Sequence, residues 1–318
     1  MKTIILVIVV NILLSLIIGY ILIPLLKNRA YQRLNRYVEE HKSKIGTPTM
    51  GGLIFILPVV ITSLFFLNSS LNIVLITFIL YGLIGFIDDY LIIKRNNNDG
   101  LSEKQKFLLQ LIVAIIFFYL FLKSGNEPLL WIHTLGIKLN IGFLYGVFIL
   151  LILVSVTNAV NITDGMDGLC GSLSVIVFIT LGIISYNTGW LLGYKEITIF
   201  CFSLVGSLIG FLFYNLYPAK IFMGDTGSLA LGSAMGSIAI LTRHELLLVL
   251  ICIVFVIETL TCIIQRIYYK FTKKRVFLMT PIHHTFNRIG YSENDIVKLF
   301  CIVGIIASLI SIIFGTIL

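Results

Sequence analysis

Residues 72–98 read NIVLITFILYGLIGFIDDYLIIKRNNN. An apolar run ends on two adjacent aspartates, Asp88 and Asp89, and is followed by Lys94, Arg95 and three asparagines. As a helix, such a run is long enough to cross a hydrocarbon core of about 30 Å. One acid at its end could be a solvated boundary residue. Two neighbours repel each other, so either one keeps its proton or both need a cation.

The rest of the chain has the same character. Of 318 residues, 58% are hydrophobic and 12% are charged, about half the charged fraction of a soluble domain. Mean hydropathy is +1.04. Runs of this kind predict an all-α polytopic membrane protein with ten transmembrane helices and no soluble domain, residues 1–318 forming one integral-membrane unit. The predicted spans lie near 3–26, 50–67, 72–92, 106–123, 142–157, 172–187, 197–214, 228–241, 246–269 and 297–317. The spans at 142–157 and 228–241 read as short. The first run is longer than a signal-peptide core and no A-x-A-like cleavage site follows it, so it reads as a span. The five cysteines form no C-x-x-C pair and suggest neither disulfides nor a zinc site. No repeat of 20–50 residues is evident, and nothing points to nucleic acid.

Lysine and arginine set the orientation. With ten spans, one side collects 18 of the 23 basic residues, among them Lys44, Lys94, Lys104, Lys106, Arg266, Arg275 and Arg288. The other side collects Lys2, Lys123, Lys138, Lys195 and Arg243. Both termini are therefore expected outside and the basic face in the cytoplasm. That partition ignores acids, yet it places all seven aspartates on the basic face. They fall at the ends of spans and in NAVNITDGMDGL (158–169) and NLYPAKIFMGDTGS (215–228), with TPIHHTF (280–286) in a further loop on that side.

Each motif has an ordinary explanation taken singly. Asp164 and Asp167, spaced i, i+3, could cap a helix, and so could Asp225. His283 and His284 are adjacent and cannot share one face of a helical metal site. Glu258, in the middle of the ninth span, is an intramembrane ionisable group and so a functional candidate, or a packing hydrogen bond. Taken together, carboxylates, glycine turns and basic side chains suit a magnesium-bridged phosphate, because Mg²⁺ needs only one or two protein carboxylates beside phosphate oxygens and water. Lys44, Lys104, His283 and His284 could steady phosphate charge. A site at the membrane boundary serves one water-soluble substrate and one lipid phosphate.

GTPTMGG (46–52), GFIDDY (85–90), NAVNITDGMDGL, FMGDTGS (222–228) and PIHH (281–284) together resemble the polyprenyl-phosphate N-acetylhexosamine-1-phosphate transferase superfamily, from about Lys44 to Ile296. GTPTMGG and PIHH resemble one branch of it. In that branch phospho-MurNAc-pentapeptide passes from UDP-MurNAc-pentapeptide to undecaprenyl phosphate, giving lipid I and UMP at the cytoplasmic face of the bacterial cell membrane. The resemblance implies Mg²⁺ as cofactor with Asp225 as its ligand. It implies catalytic roles for Asp88, Asp89, Asp225, His283 and His284, and a nucleotide-sugar pocket at Asn161, Asp164, Gly165 and Asp167. Phe222 matches an aromatic that stacks on uracil, and Lys44, Thr49, Lys104, Asn215 and Gln265 match other pocket positions. A homodimer is the remaining expected partner. Thr285 and Ile92 depart from the pattern, standing where the family usually has His and Lys.

Three other readings compete. A sister enzyme would transfer GlcNAc-1-phosphate to the same lipid, and PIHH argues against it. A cation-coupled transporter would place acids near the bilayer midplane on broken helices, whereas these aspartates sit at span ends. A nonenzymatic scaffold leaves the clustered acids unexplained.

Overall fold

The structure is a computed structural model and describes residues 1–27, 46–95, 99–132 and 136–316. Lys44 lies outside the described residues. The chain begins with α1 (Lys2–Lys27), the short α2 (Leu53–Ser63), α3 (Ser69–Arg95) and α4 (Glu103–Lys123). A small hairpin follows, β1 (Leu130–Ile132) and β2 (Ile137–Leu139), then α5 (Phe143–Thr163), α6 (Leu169–Asn187), α7 (Tyr194–Asn215) and α8 (Gly224–Leu241). The chain closes with α9 (Leu248–Ile251), α10 (Ile253–Thr272), α11 (Ile282–Arg288) and α12 (Glu293–Thr316). Seven of these, α1, α3, α4, α5, α6, α7 and α12, are long and apolar enough to cross a membrane. The protein is a polytopic helical membrane protein.

Three expected spans coincide with helices that do not qualify on length and apolarity alone. α2 has 11 residues. α8 is diluted by glycine and serine, and α10 carries Glu258, Arg266 and Lys270. The fifth span, expected to be short, continues to Thr163, so α5 has 21 residues. The hairpin was not expected from the apolar runs. It pairs Trp131 with Lys138, whose ammonium lies 4.3 Å from the indole centroid; cross-strand and cation–π contacts hold a pair of strands too short to show in hydropathy.

α8 is the axis of the bundle. Sixteen of its 18 residues are buried, and it packs against α3 on one side and α5 on the other. Without a hydrophobic driving force between helices in lipid, close approach of small residues provides the packing. Gly232 faces the backbone of Val156 and Thr157 in α5 and leaves no room for a Cβ. Gly85 of α3 lies directly against the backbone carbonyl of Asp225 and has no room for one either. That contact brings the end of α3, with Asp88 and Asp89, beside the start of α8.

GTPTMGG has a structural role of its own. Gly51 and Gly52 donate backbone hydrogen bonds to Phe222 and Met223 at 2.8 and 2.9 Å, and Phe222 N donates to Pro48 O at 2.8 Å. A Cβ on Gly51 would fall 2.6 Å from the Phe222 carbonyl. The paired glycines let this segment lie flat on the loop that leads into α8.

Candidate active site

The ends of α3 and α5, the start of α8 and the first turn of α4 meet at one end of the bundle. Asp225 is the second residue of α8. Its Oδ1 accepts from Asn161 Nδ2 at 2.7 Å, and its Oδ2 pairs with the Lys106 ammonium. Lys106 Nζ also donates to Asp88 Oδ2 at 3.0 Å. One ammonium thus joins two carboxylates from separate helices. Asn161 donates further to Ser228 Oγ, one turn along α8, at 2.9 Å.

The adjacent acids do different work. Asp88 is buried; its Oδ1 accepts from Leu101 N at 2.7 Å while its Oδ2 meets Lys106. A Cβ on Gly100 would fall 2.5 Å from Asp88 Oδ1, so a side chain where the loop crosses the acid would push the carboxylate aside. Asp89, also buried, turns to the helix instead. Its Oδ1 accepts from Asp225 N at 3.2 Å, and its Oδ2 accepts from Thr226 N at 3.0 Å and Thr226 Oγ1 at 2.6 Å. It caps the N-terminus of α8, where unpaired N–H groups and the helix dipole favour an anion.

The loop after α5 supplies the next wall. Asp164 accepts from Gly224 N, and its carboxyl is pushed up to about 8, by burial first and then by the charges of Asp225 and Asp89. Asp167 is buried and accepts from Ala219 N at 2.9 Å. Asn215 accepts from Gly168 N at 3.1 Å and donates to Ile221 O at 2.9 Å. Asp167 and Asn215 thereby lock the 158–169 loop to the 215–228 loop. Thr49 is buried, with its Oγ1 and Asp89 Oδ2 both crowding Gly224, whose φ is +73°. Phe222 is half-buried beside it.

The histidine segment closes the site. His283 is fully buried, with Nδ1 at 3.1 Å from Glu258 Oε2 and Nε2 against Gly165. His284 is half-buried, its ring centroid 4.2 Å from that of His283. Thr285, in the place of a third histidine, hydrogen-bonds Met279 through both O and N and closes the turn before α11. Gln265 accepts from Val276 N at 2.9 Å and Phe277 N at 3.1 Å, bracing the loop that carries PIHH. Beside it, Arg266, Arg275 and Arg288 line a cleft of about 660 Å³.

One expected residue is displaced from the cluster. Lys104 is exposed, and the lysine at the aspartates is Lys106. Residues two apart on a helix point to nearly opposite sides, so the two lysines cannot share a role. Sequence reasoning missed Lys106 although the signal was present. Ser102 and Gln105 form a capping box that starts α4 at Glu103, and reading S-x-x-Q as a start would have phased the first turn. Thr226 and Ser228 were also missed; each side chain serves an acid or amide from another helix.

Among the described residues no group of three or more His, Cys, Asp or Glu side chains forms a metal cage. The donor set still fits Mg²⁺, which takes few protein carboxylates when phosphate supplies other ligands. Asp88 and Asp225 already hold a cationic group between them.

Comparison with known proteins defines the class first. Residues 71–243, which include the acid pair, Lys106, the 158–169 loop and Asp225, match the model of glycosyl transferase family 4. A phospho-N-acetylmuramoyl-pentapeptide-transferase of Geobacillus sp. (strain WCH70) is 41% identical over 319 residues, covering 98% of this chain and 97% of the relative. Transferases of the same name from Staphylococcus epidermidis and Staphylococcus aureus are each 44% identical over 317 residues, covering 96% and 95% of this chain and 98% of the relative. The chain belongs to the phospho-N-acetylmuramoyl-pentapeptide-transferase family.

Proposed function

We propose that this protein transfers phospho-MurNAc-pentapeptide from UDP-MurNAc-pentapeptide to undecaprenyl phosphate, giving lipid I and UMP in peptidoglycan synthesis. The observation that carries the reading is Asp225, shared by Lys106 and Asn161 and facing Asp88 across one ammonium, at the end of a membrane bundle. Near-full-length relatives bearing the enzyme's name support it.

In the transfer an oxygen of the acceptor phosphate bonds to the sugar-bearing phosphorus, the pyrophosphate P–O bond breaks, and UMP leaves with its electrons. Catalysis of this kind is mostly positioning and charge stabilisation. Asp225 would hold Mg²⁺, with Asp88 opposite. Bound there, the metal would neutralise charge on the pyrophosphate. Lys106 adds a fixed cation beside the reacting phosphates, and Asp88 meets the acceptor phosphate. Asn161 orients Asp225. Asp164, Gly165 and Phe222 border the donor, while Arg266, Arg275 and Arg288 give its anionic groups a basic wall. Asp89 keeps α8 in place.

The acceptor's tail has a path. A groove of about 580 Å³ between α5 and α10, lined by residues such as Phe148, Ile152, Val256 and Ile263, runs from Glu245 to Asn158. Asn158 lies one helical turn from Asn161, so an apolar chain in the groove would bring its phosphate toward Asp88 and Asp225. We also read the chain as ten spans with both termini outside and the site on the cytoplasmic face, because that count alone separates the basic residues 18 to 5.

The test is a transfer assay in detergent with undecaprenyl phosphate and radiolabelled donors, with and without Mg²⁺. Lipid-linked product from UDP-MurNAc-pentapeptide is expected, dependent on the metal. Product from UDP-GlcNAc alone would assign the sister reaction.

A further inference from the structure

Glu258 and His283 are both fully buried. Nδ1 of the histidine lies 3.1 Å from Oε2 of the glutamate. Its approach is off the hydrogen-bond line, and no hydrogen bond engages either ring nitrogen or either carboxylate oxygen among the described residues. An ionisable group enclosed this way is costly unless paired, and more so inside a membrane helix. Each is the other's available partner. A small rotation of the imidazole would place Nδ1–H on the carboxylate. The opposite nitrogen has a defined address: a Cβ on Gly165 would fall 2.6 Å from Nε2. Gly165 lies in the turn between Asp164 and Asp167.

We propose that Glu258 is a positioning residue: it holds Nδ1–H of His283 and so directs Nε2 at the Gly165 turn of the donor wall. The hydrogen bond at one ring nitrogen fixes which nitrogen is left to act. With the carboxylate behind it, the imidazole can carry a proton on Nε2 and donate it to a phosphate oxygen of the donor without leaving an uncompensated buried charge. A glutamate kept only for packing would do none of this, because an apolar side chain of similar size fills the same space at no electrostatic cost. The inference rests on reading the 158–169 loop as the donor wall.

The experiment combines kinetics with ¹⁵N-histidine NMR of the full-length protein in detergent, assigning His283 by difference from His283→Asn. Glu258→Leu is expected to lower the thermal midpoint, because it strands the buried His283, and to keep the donor KM near that of the unaltered protein. Its kcat should fall by up to about 10⁴-fold, as when a carboxylate that sets a histidine's tautomer is removed. The Nδ1 resonance of His283 should shift. Glu258→Gln, whose amide can donate to a bare Nδ1 as well as accept from Nδ1–H, should keep the fold, lower kcat and shift the His283 resonances toward the other tautomer. In Glu258→Leu/His283→Asn the losses should not add, since residues that act as a unit are non-additive. Should Glu258→Leu not fold, the Gln variant and its resonances decide. Turnover within twofold of the parent in folded Glu258→Leu, or in Glu258→Gln where the Leu variant does not fold, overturns the proposal, as does lost turnover with unchanged His283 resonances. Unchanged donor binding in Asp164→Asn and Asp167→Asn, with the resonance shift of Glu258→Leu intact, would count instead against the donor-wall reading.

Discussion

Asp89 accepts the backbone N–H of Asp225 at 3.2 Å, so the second acid of the pair fixes the third acid of the site. Its other oxygen takes the N–H and hydroxyl of Thr226. The two adjacent aspartates therefore separate by experiment. Asp89→Asn should lower the thermal midpoint, because loss of a helix cap costs about 0.5–2 kcal/mol. Thr226→Val should reproduce part of that loss. Asp88→Asn should leave the midpoint nearly unchanged and cut kcat by orders of magnitude. Equal melting of both variants would contradict the division of labour.

Lys106 and Lys104 make a second contrast. Lys106→Gln removes the ammonium between Asp88 and Asp225 and should lower kcat by about 100-fold or more, in the range for loss of a preorganised charge-stabilising group. Lys104→Gln, on the exposed side of α4, should stay within about twofold, as surface substitutions do. Steady-state rates of both proteins in one assay check this.

Asp225→Asn tests the metal assignment. It should keep the fold and lose most turnover, because removal of a metal carboxylate costs orders of magnitude. Raising Mg²⁺ should recover part of the rate in the variant and none in Asp88→Asn. Chelation with EDTA should abolish product formation by the unaltered protein, and added Mg²⁺ should restore it.

A pH dependence follows from Asp164. Its folded carboxyl is raised to about 8 from an ordinary value of 3.8. The folded protein therefore binds this proton more tightly than the unfolded chain, and stability falls as pH rises through this window. Glu245, near the opposite end of the bundle, is raised to about 7 by burial and adds to the same slope. The thermal midpoint of the donor-free protein should decrease between pH 5 and 8.5. Asp164→Asn should flatten part of the slope and leave the share belonging to Glu245.

Orientation is checked by labelling in a cysteine-free background. Cysteines at Lys138 and Asn187, exposed near the hairpin end, should react with a membrane-impermeant thiol reagent on intact cells. One at Lys274 should react only after permeabilisation. Labelling of Lys274 from outside would reverse the topology.

The sequence made the helical spans legible because twenty apolar residues in a row have few other uses. It also made the acids legible, because charge inside such runs is rare. What it hid was direction. Asp88 and Asp89 are neighbours in sequence, yet one faces Lys106 and the other caps α8, and only the docking of α3 on α8 decides which. Lys104 and Lys106 differ for the same reason: helix phase depends on where α4 begins. Asn215 and Gln265, expected at the pocket, hydrogen-bond backbone groups and brace loops, a role no side-chain type announces by itself. Glu258 stood out as an ionisable residue within a span, but its partner lies on another helix beyond a loop and carries no mark of the pairing.

The cap on α8 bears on biogenesis. Asp89 enters the membrane with α3, while the residue that satisfies its Oδ2 comes 137 residues later in the chain. Until α8 is made, that carboxyl has to keep a proton or stay near water at the membrane edge, because an unpaired charge is costly in hydrocarbon. Arrival of Gly224–Ser228 removes that constraint and completes the acid cluster in the same event. A chain stopped before α8 holds Asp88, Lys106 and Asn161 but lacks the Asp225 that joins them, and the acid left waiting is the one that later fixes Asp225.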